Sequence, residues 1–268
     1  MEWKNIYRGM VMGTVDLIPG ISGGTIAVLL GFYDRLIAAI NGIFSREWKK
    51  HLAFLIPLGV GMATAIFTFS RVMNWLLKYY EQPTYYFFLG LIIGILPYLF
   101  RESEARTTFK WQHILLLAIG IILIILLPLS PNEGAIIEHK TLSTYILLFF
   151  SGFVASAAMI LPGISGSFVL VVIGVYKTIM HGVSTFDLKV IIVVGIGIAL
   201  GILTMSKIIH YFLMHYRTAT FALIIGLVIG SIFVIFPGWA HNLSQLVISI
   251  LVFTIGLFAA YVLGKVEY

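Results

Sequence analysis

The chain has 268 residues, of which 60% are apolar and 10% charged; its net charge is +6, it has no cysteine, and its mean hydropathy is +1.04. A soluble domain carries about 45–50% apolar and about 25% charged residues, so a soluble globular enzyme, a disordered chain and a nucleic-acid-binding module are all excluded. What remains is an integral membrane protein, with the surplus of Lys and Arg expected in cytoplasmic loops.

In chain order, the first apolar stretch is 10–40, interrupted by Pro19-Gly20-Ile21-Ser22-Gly23-Gly24. It runs into Asp16 and Pro19 with no small-residue cleavage pattern, so it does not read as a cleaved signal peptide. Continuous apolar segments follow at 52–77, 85–100 and 114–129. A bilayer core about 30 Å thick takes roughly 20 residues per helix, and each segment is expected to cross. Their unbroken apolarity excludes an outer-membrane barrel, whose strands alternate. A second broken stretch, 145–180, carries Pro162-Gly163-Ile164-Ser165-Gly166-Ser167, and three more crossings are expected at 188–206, 221–240 and 243–264. Proline removes a backbone donor and glycine tolerates most backbone angles, so each broken stretch should stop at its Pro and restart a few residues later.

The two halves match. Residues 19–33 align with 162–176 at a spacing of 143, with 8 of 15 positions identical. Beyond them Gly59, Gly61, Ala63, Thr68, Tyr80, Thr84, Gly90 and Gly94 align with Gly195, Gly197, Ala199, Thr204, Tyr216, Thr220, Gly226 and Gly230 at a spacing of 136. This reads as an internal duplication with repeats 1–130 and 143–268. If each broken stretch enters and leaves the membrane on one side, a cytoplasmic N-terminus puts 10 Lys and Arg inside, from Lys4 to Lys265, and leaves four outside: Lys78, Lys140, Lys177 and Lys189. If the broken stretches span, the best split is 8 to 6. Only the first arrangement obeys the positive-inside rule clearly. The expected fold is therefore an all-α polytopic membrane protein with an inverted-topology repeat, each half a re-entrant hairpin plus three transmembrane helices. Both termini would be cytoplasmic and the hairpin tips would meet near the midplane. Such an arrangement is common among transporters.

Irregular backbone at membrane depth survives only in a shielded or wet place. The half-helices restarting after Ser22 and Ser165 would aim free N–H groups and a positive dipole end at the tips, a ready anion site. A kinked helix with a serine cap is the plainer reading of one such motif; two matching copies favour the anion site. Its candidate residues are Pro19, Gly20, Ser22, Gly23, Gly24, Thr25, Gly163, Ser165, Gly166 and Ser167. Arg71 and Lys207 hold equivalent repeat positions in apolar helices, where a charge is costly; they either neutralise a phosphate or snorkel to the interface. Asp16 is a candidate for coupling to a proton or sodium ion, or else caps the tip. Asp34 and Arg35 read as a local ion pair, and the tyrosines and tryptophans near segment ends, Tyr85 and Tyr86 among them, as an aromatic belt. Glycines such as Gly195, Gly197 and Gly201 should allow close helix packing and sliding. The histidines show no ligand spacing, so no metal and no cofactor are expected.

The run from Gly13 to Ala27, with Gly31-Phe32-Tyr33 after it, resembles the signature of the domain of unknown function 368 family, described as polyprenyl-phosphate transporters of bacteria. The likeness extends over the whole chain and includes the second Pro-Gly-Ile-Ser-Gly; Ser167 stands where the first motif has Gly24. The resemblance implies translocation of undecaprenyl phosphate from the outer to the cytoplasmic leaflet of the bacterial plasma membrane, recycling the carrier lipid for cell-wall synthesis. It assigns Asp16, Pro19, Gly20, Ser22, Gly23, Gly24 and Thr25 to the motif. The partners so implied are undecaprenyl phosphate and membrane lipid, with no nucleic acid; a homo-oligomer stays open. A secondary transporter of a small water-soluble anion is the alternative. A lipid phosphatase would need a convergent nucleophile set that the sequence lacks, and a channel would need a filter.

Overall fold

The computed structural model describes residues 2–17, 22–126, 135–137, 141–239 and 242–267, and every regular element among them is helical. The first half contributes α1 (Lys4–Asp16), α2 (Gly23–Leu29), α3 (Tyr33–Asn41), α4 (Trp48–Tyr79), α5 (Glu81–Glu102), the short α6 (Ala105–Thr108) and α7 (Trp111–Leu126). The second contributes α8 (Leu142–Ile160), α9 (Gly166–Ile173), α10 (Tyr176–Ser184), α11 (Leu188–His215), α12 (Arg217–Ile235) and α13 (Leu243–Glu267). Six of these, α4, α5, α8, α11, α12 and α13, are long and apolar enough to cross a membrane. Their outward faces carry exposed Phe67, Leu142, Phe150, Leu251 and Phe258. So much exposed hydrocarbon is stable only against lipid, and the chain is a multi-pass membrane protein.

The set of six differs from the sequence expectation at two places. α7 has 16 described residues, fewer than a full crossing takes, and positions 127–129 of the expected segment lie outside the described residues. α8, the first arm of the second broken stretch, has 19 residues and is long enough to cross by itself. Its counterpart α1 has 13, about 20 Å at 1.5 Å per residue.

Both broken stretches restart and then bend at the same kind of elbow. Gly31 and Gly174 hold φ of 64° and 83°, backbone that glycine adopts without penalty. Across each elbow an N–H closes on a carbonyl five residues back, Phe32 on Ala27 and Val175 on Leu170, both at 3.0 Å. α9 and α10 meet there at 112°. The later helices also break alike. Tyr80, between α4 and α5, has φ −136° and ψ 41°; Tyr216, between α11 and α12, has φ −137° and ψ 46°. The Thr84 and Thr220 hydroxyls donate to the Tyr80 and Tyr216 carbonyls at 2.7 and 2.9 Å.

Helices pack in four close pairs: α1 with α4, α8 with α11, α5 with α13, and α7 with α12. Lipid gives no hydrophobic reason for helices to associate, so small residues that let backbones touch matter most. A Cβ on Gly61 would collide with the Ile6 carbonyl, and one on Gly197 with the Phe149 carbonyl. Gly9 meets Leu58 as Gly152 meets Val194; Gly90 meets Phe253 as Gly226 meets Leu117. Every one of these pairs maps onto its counterpart by the spacings of 143 and 136 read from the sequence. Gly201 also lies on a backbone, that of Phe153, whereas Gly195 faces open space and serves no helix contact.

The pairing is not symmetric everywhere. α2 is buried along its whole length and touches α1, α5, α8 and α13; α3 packs on α11. In the corresponding α9 only Gly166 and Val169 are buried, and α10 makes no comparable packing with α4 among the described residues.

Candidate functional site

The two breaks meet at the centre of the fold. Pro19 and Gly20 lie outside the described residues. α8 ends at Ile160, which leaves the carbonyls of Met159 and Ile160 without intrahelical partners. The Ser22 hydroxyl donates to Met159 O at 2.9 Å, and the Tyr33 hydroxyl donates to Ile160 O at 3.1 Å. In return, the Gly163 N–H of the second break donates to Thr25 Oγ1 at 2.9 Å. Gly163 sits at φ +88°, and a Cβ there would press to 2.7 Å on Leu227 O, so both conformation and space require glycine. Ser22, Thr25 and Gly163 thus clip one break to the other.

The two helix starts differ in how they are capped. Ser22 is extended and accepts the Gly24 N–H on its Oγ at 3.0 Å, an ordinary serine cap for α2. The Gly23 N–H donates to Asp16 Oδ1 at 2.5 Å. A Cβ on Gly23 would lie 2.8 Å from Asp16 Oδ2, so the glycine lets the carboxylate in. The first helix start therefore already holds an anionic oxygen, that of Asp16. At the second start, Ser165 gives no side-chain cap; its hydroxyl is 2.9 Å from that of Ser167, which is exposed. Gly166 runs close to α8, where a Cβ would meet Ala155 O at 3.1 Å.

Two cavities flank this junction. One, of about 250 Å³, is lined by Met12, Asp16, Gly23, Gly24, Met62 and Met159 among others, and Asp16 alone of its described lining ionises. The other, of about 370 Å³, lies among α7, α11 and α12, with Tyr33 and Leu161 at the junction end and Phe212, Tyr216, Leu223 and Ile224 along it. The hydroxyls of Tyr33 and Thr220 on its walls are bonded to carbonyls, so the groove offers a hydrocarbon surface.

Arg71 and Lys207 are exposed, and neither lines either cavity or is brought to the breaks. Asp34 and Arg35 do not pair with each other. Neighbours in a helix point apart, so Arg35 reaches Glu2, and Asp34 accepts from Arg217 Nη1 at 2.8 Å. The other fork of Arg217 donates to Glu102 Oε1 at 2.9 Å, and its guanidinium lies 5.0 Å from the Phe221 ring centre. Sequence reading passed over this cluster because its members lie 183 and 115 residues apart; the signal available was that Asp34 and Arg217 align with Lys177 and Glu81, charges of opposite sign. Tyr86 is not a belt residue: it is buried and its hydroxyl donates to Gly238 O at 3.2 Å. Trp48, Trp75, Trp111 and Trp239 are exposed near helix ends.

Comparison with known proteins matches residues 12–260 to a family described as undecaprenyl phosphate translocase-like. A polyprenyl-phosphate transporter of Staphylococcus aureus is 45% identical over 274 residues, spanning 99% of this chain and 97% of the relative. A polyprenyl-phosphate transporter of Vibrio cholerae is 35% identical over 261 residues, spanning 91% of this chain and 80% of the relative. No solved structure matches.

Proposed function

Because the chain belongs to the undecaprenyl phosphate translocase-like family, we propose that it moves undecaprenyl phosphate from the outer to the cytoplasmic leaflet of the bacterial plasma membrane and so returns the carrier lipid for cell-wall synthesis. The observation that carries this reading is the junction of the two breaks, where two short helices start at one place and one of the starts already binds a carboxylate oxygen. An unpaired anion in hydrocarbon is very costly, and a protein lowers that cost by offering amide donors and a dipole end at depth. The phosphate is taken by the second start, around Gly163, Ser165, Gly166 and Ser167, with the first motif, Pro19 to Thr25, forming the opposite wall. The isoprenoid tail lies in the apolar groove beside Leu161. Arg71 and Lys207, on the outer faces of α4 and α11, serve as collection points for the headgroup at the two surfaces.

The inverted repeat belongs to the same proposal: each half is a re-entrant hairpin with three crossings, and both termini are cytoplasmic. The glycine contacts that recur at the sequence spacings, the matching elbows at Gly31 and Gly174, and the matching breaks at Tyr80 and Tyr216 support it. The orientation rests on the distribution of Lys and Arg; labelling of a Lys49→Cys variant from the outside alone would reverse it. Asp16 is the coupling residue. Its carboxylate holds the Gly23 amide as an anion does, and uptake of a proton, or of a sodium ion beside it, weakens that hold.

Retention of lipid by the purified chain, followed by native mass spectrometry, tests the cargo. The full chain should retain undecaprenyl phosphate and not undecaprenol, and the double Ser165→Ala, Ser167→Ala variant should lose most of that preference. Equal retention of phosphate and alcohol would remove the headgroup site. Displacement of the lipid by inorganic phosphate at equal concentration would favour the soluble-anion alternative.

A further inference from the structure

The four packed pairs and the elbows obey the repeat, but the contacts around the hairpin returns do not. α3 packs on α11 and α2 on α5. The repeat-related contact of α10 on α4 has no comparable packing among the described residues, and α9 shares with α12 a small cluster around Val169 and Leu227. On the first side Arg217, at the start of α12, ties α3 and α5 together through Asp34 and Glu102. On the second side Glu81, at the start of α5, makes no ion pair among the described residues; it lines an open cleft of about 380 Å³ with Tyr85, Phe168 and Phe236. The spacings of 143 and 136 carry Asp34 to Lys177 and Arg217 to Glu81. The acid and the base have changed places between the repeats, so opposite charges stand at both pairs of positions.

We propose that these two pairs are the alternating gates of the molecule. The Asp34–Arg217–Glu102 cluster closes one side, a Glu81–Lys177 pair closes the other, and only one is closed at a time. The proposal rests on the transport reading and the repeat it invokes. Two similar halves can exchange conformations: the hairpin return now packed on the other half parts from it, and its counterpart, now packed within its own half, takes up the equivalent contact. The observed arrangement then has the Arg217 side shut and the Glu81 side open. Partly exposed ion pairs are weak, which suits a latch that must open in every cycle. The planar fork of Arg217 engages two carboxylates on two elements at once, whereas in the second repeat Gly238 stands at the position of Glu102 and offers no third charge. The Arg217 gate is therefore the stronger of the two, in keeping with its being closed here.

The absence of cysteine makes the test direct. The Asp34→Cys, Arg217→Cys pair and the Glu81→Cys, Lys177→Cys pair are introduced separately in the full chain, placed in vesicles and treated with a short reversible bifunctional thiol reagent. Each pair should cross-link, and each cross-link should stop transport until it is reversed. The gates should also be antagonistic. Arg217→Glu should raise cross-linking of the Glu81/Lys177 pair, and Glu81→Lys should raise cross-linking of the Asp34/Arg217 pair. These yields are read whether or not lipid moves, and the single variants keep one gate intact should a double variant fail to fold. A Glu81/Lys177 pair that never cross-links, in a chain that still moves lipid, would overturn the gates and leave the transport reading standing. Cross-linking of both pairs in a chain that moves no lipid would uphold the gates and overturn the cargo.

Discussion

The carboxylate of Asp16 lies on the Gly23 amide, the position in which a helix start takes an anion. That contact explains why glycine follows Ser22: any larger residue would push the carboxylate away. It was only half legible in the sequence. Asp16 stood out as a charge in an apolar segment, but its partner is a backbone group reached through a break, and side-chain spacing does not reveal such a contact. Ser22 was legible as a cap because serine before a restarting helix has a known use; its second bond, to Met159 O of the other half, was not, since a helix terminus leaves no trace of which donor will come to it. If Asp16 couples transport to an ion gradient, Asp16→Asn should keep an acceptor for the Gly23 amide while removing the charge. The expected outcome is a folded chain whose lipid movement no longer responds to an imposed proton or sodium gradient. An unaltered gradient response, measured in vesicles beside the parent, would leave Asp16 as a structural cap.

Among the helices, glycine position decides contact. Gly59 and Gly61 are two residues apart in α4, as Gly195 and Gly197 are in α11, and all four recur in the sequence as part of one pattern. Only Gly61 and Gly197 lie on a neighbouring backbone; Gly59 and Gly195 face open space. Recurrence was legible, but the face each glycine presents depends on how α1 and α8 cross their partners. Gly61→Ala and Gly197→Ala should each cost about 1–3 kcal/mol, the usual range for overpacking a close contact. Gly59→Ala and Gly195→Ala should be neutral or stabilising by up to about 1 kcal/mol, because alanine favours helix over glycine. Thermal unfolding of the four variants in detergent, read by loss of monodisperse protein, separates the pairs; equal losses in all four would contradict the packing described for α1–α4 and α8–α11. The span assignment was legible for α4, α5, α11, α12 and α13, whose apolar runs are long. That α8 is long enough to cross by itself was not read, because Pro162 drew attention to the break and away from the 19 residues before it.

At the scale of the whole molecule, the composition alone identified a multi-pass membrane protein, and the repeat spacings related the glycines of the two halves without showing which of them touch a neighbouring backbone. What the sequence did not disclose is that the halves differ in conformation, with α2 and α3 packed in and α9 and α10 less so. The contacts that set the first half apart are those of α3 on α11 and of Arg217 with Asp34 and Glu102. The central claim is that this molecule moves a polyprenyl phosphate between leaflets. Its most direct test is the leaflet distribution of labelled undecaprenyl phosphate in vesicles containing the purified chain, followed over time with an impermeant quencher. The account predicts that lipid loaded in one leaflet equilibrates far faster than in protein-free vesicles, and that cross-linking Asp34→Cys to Arg217→Cys returns the rate to the protein-free value. Equilibration at the protein-free rate by the folded parent chain, under every imposed ion gradient, would contradict it.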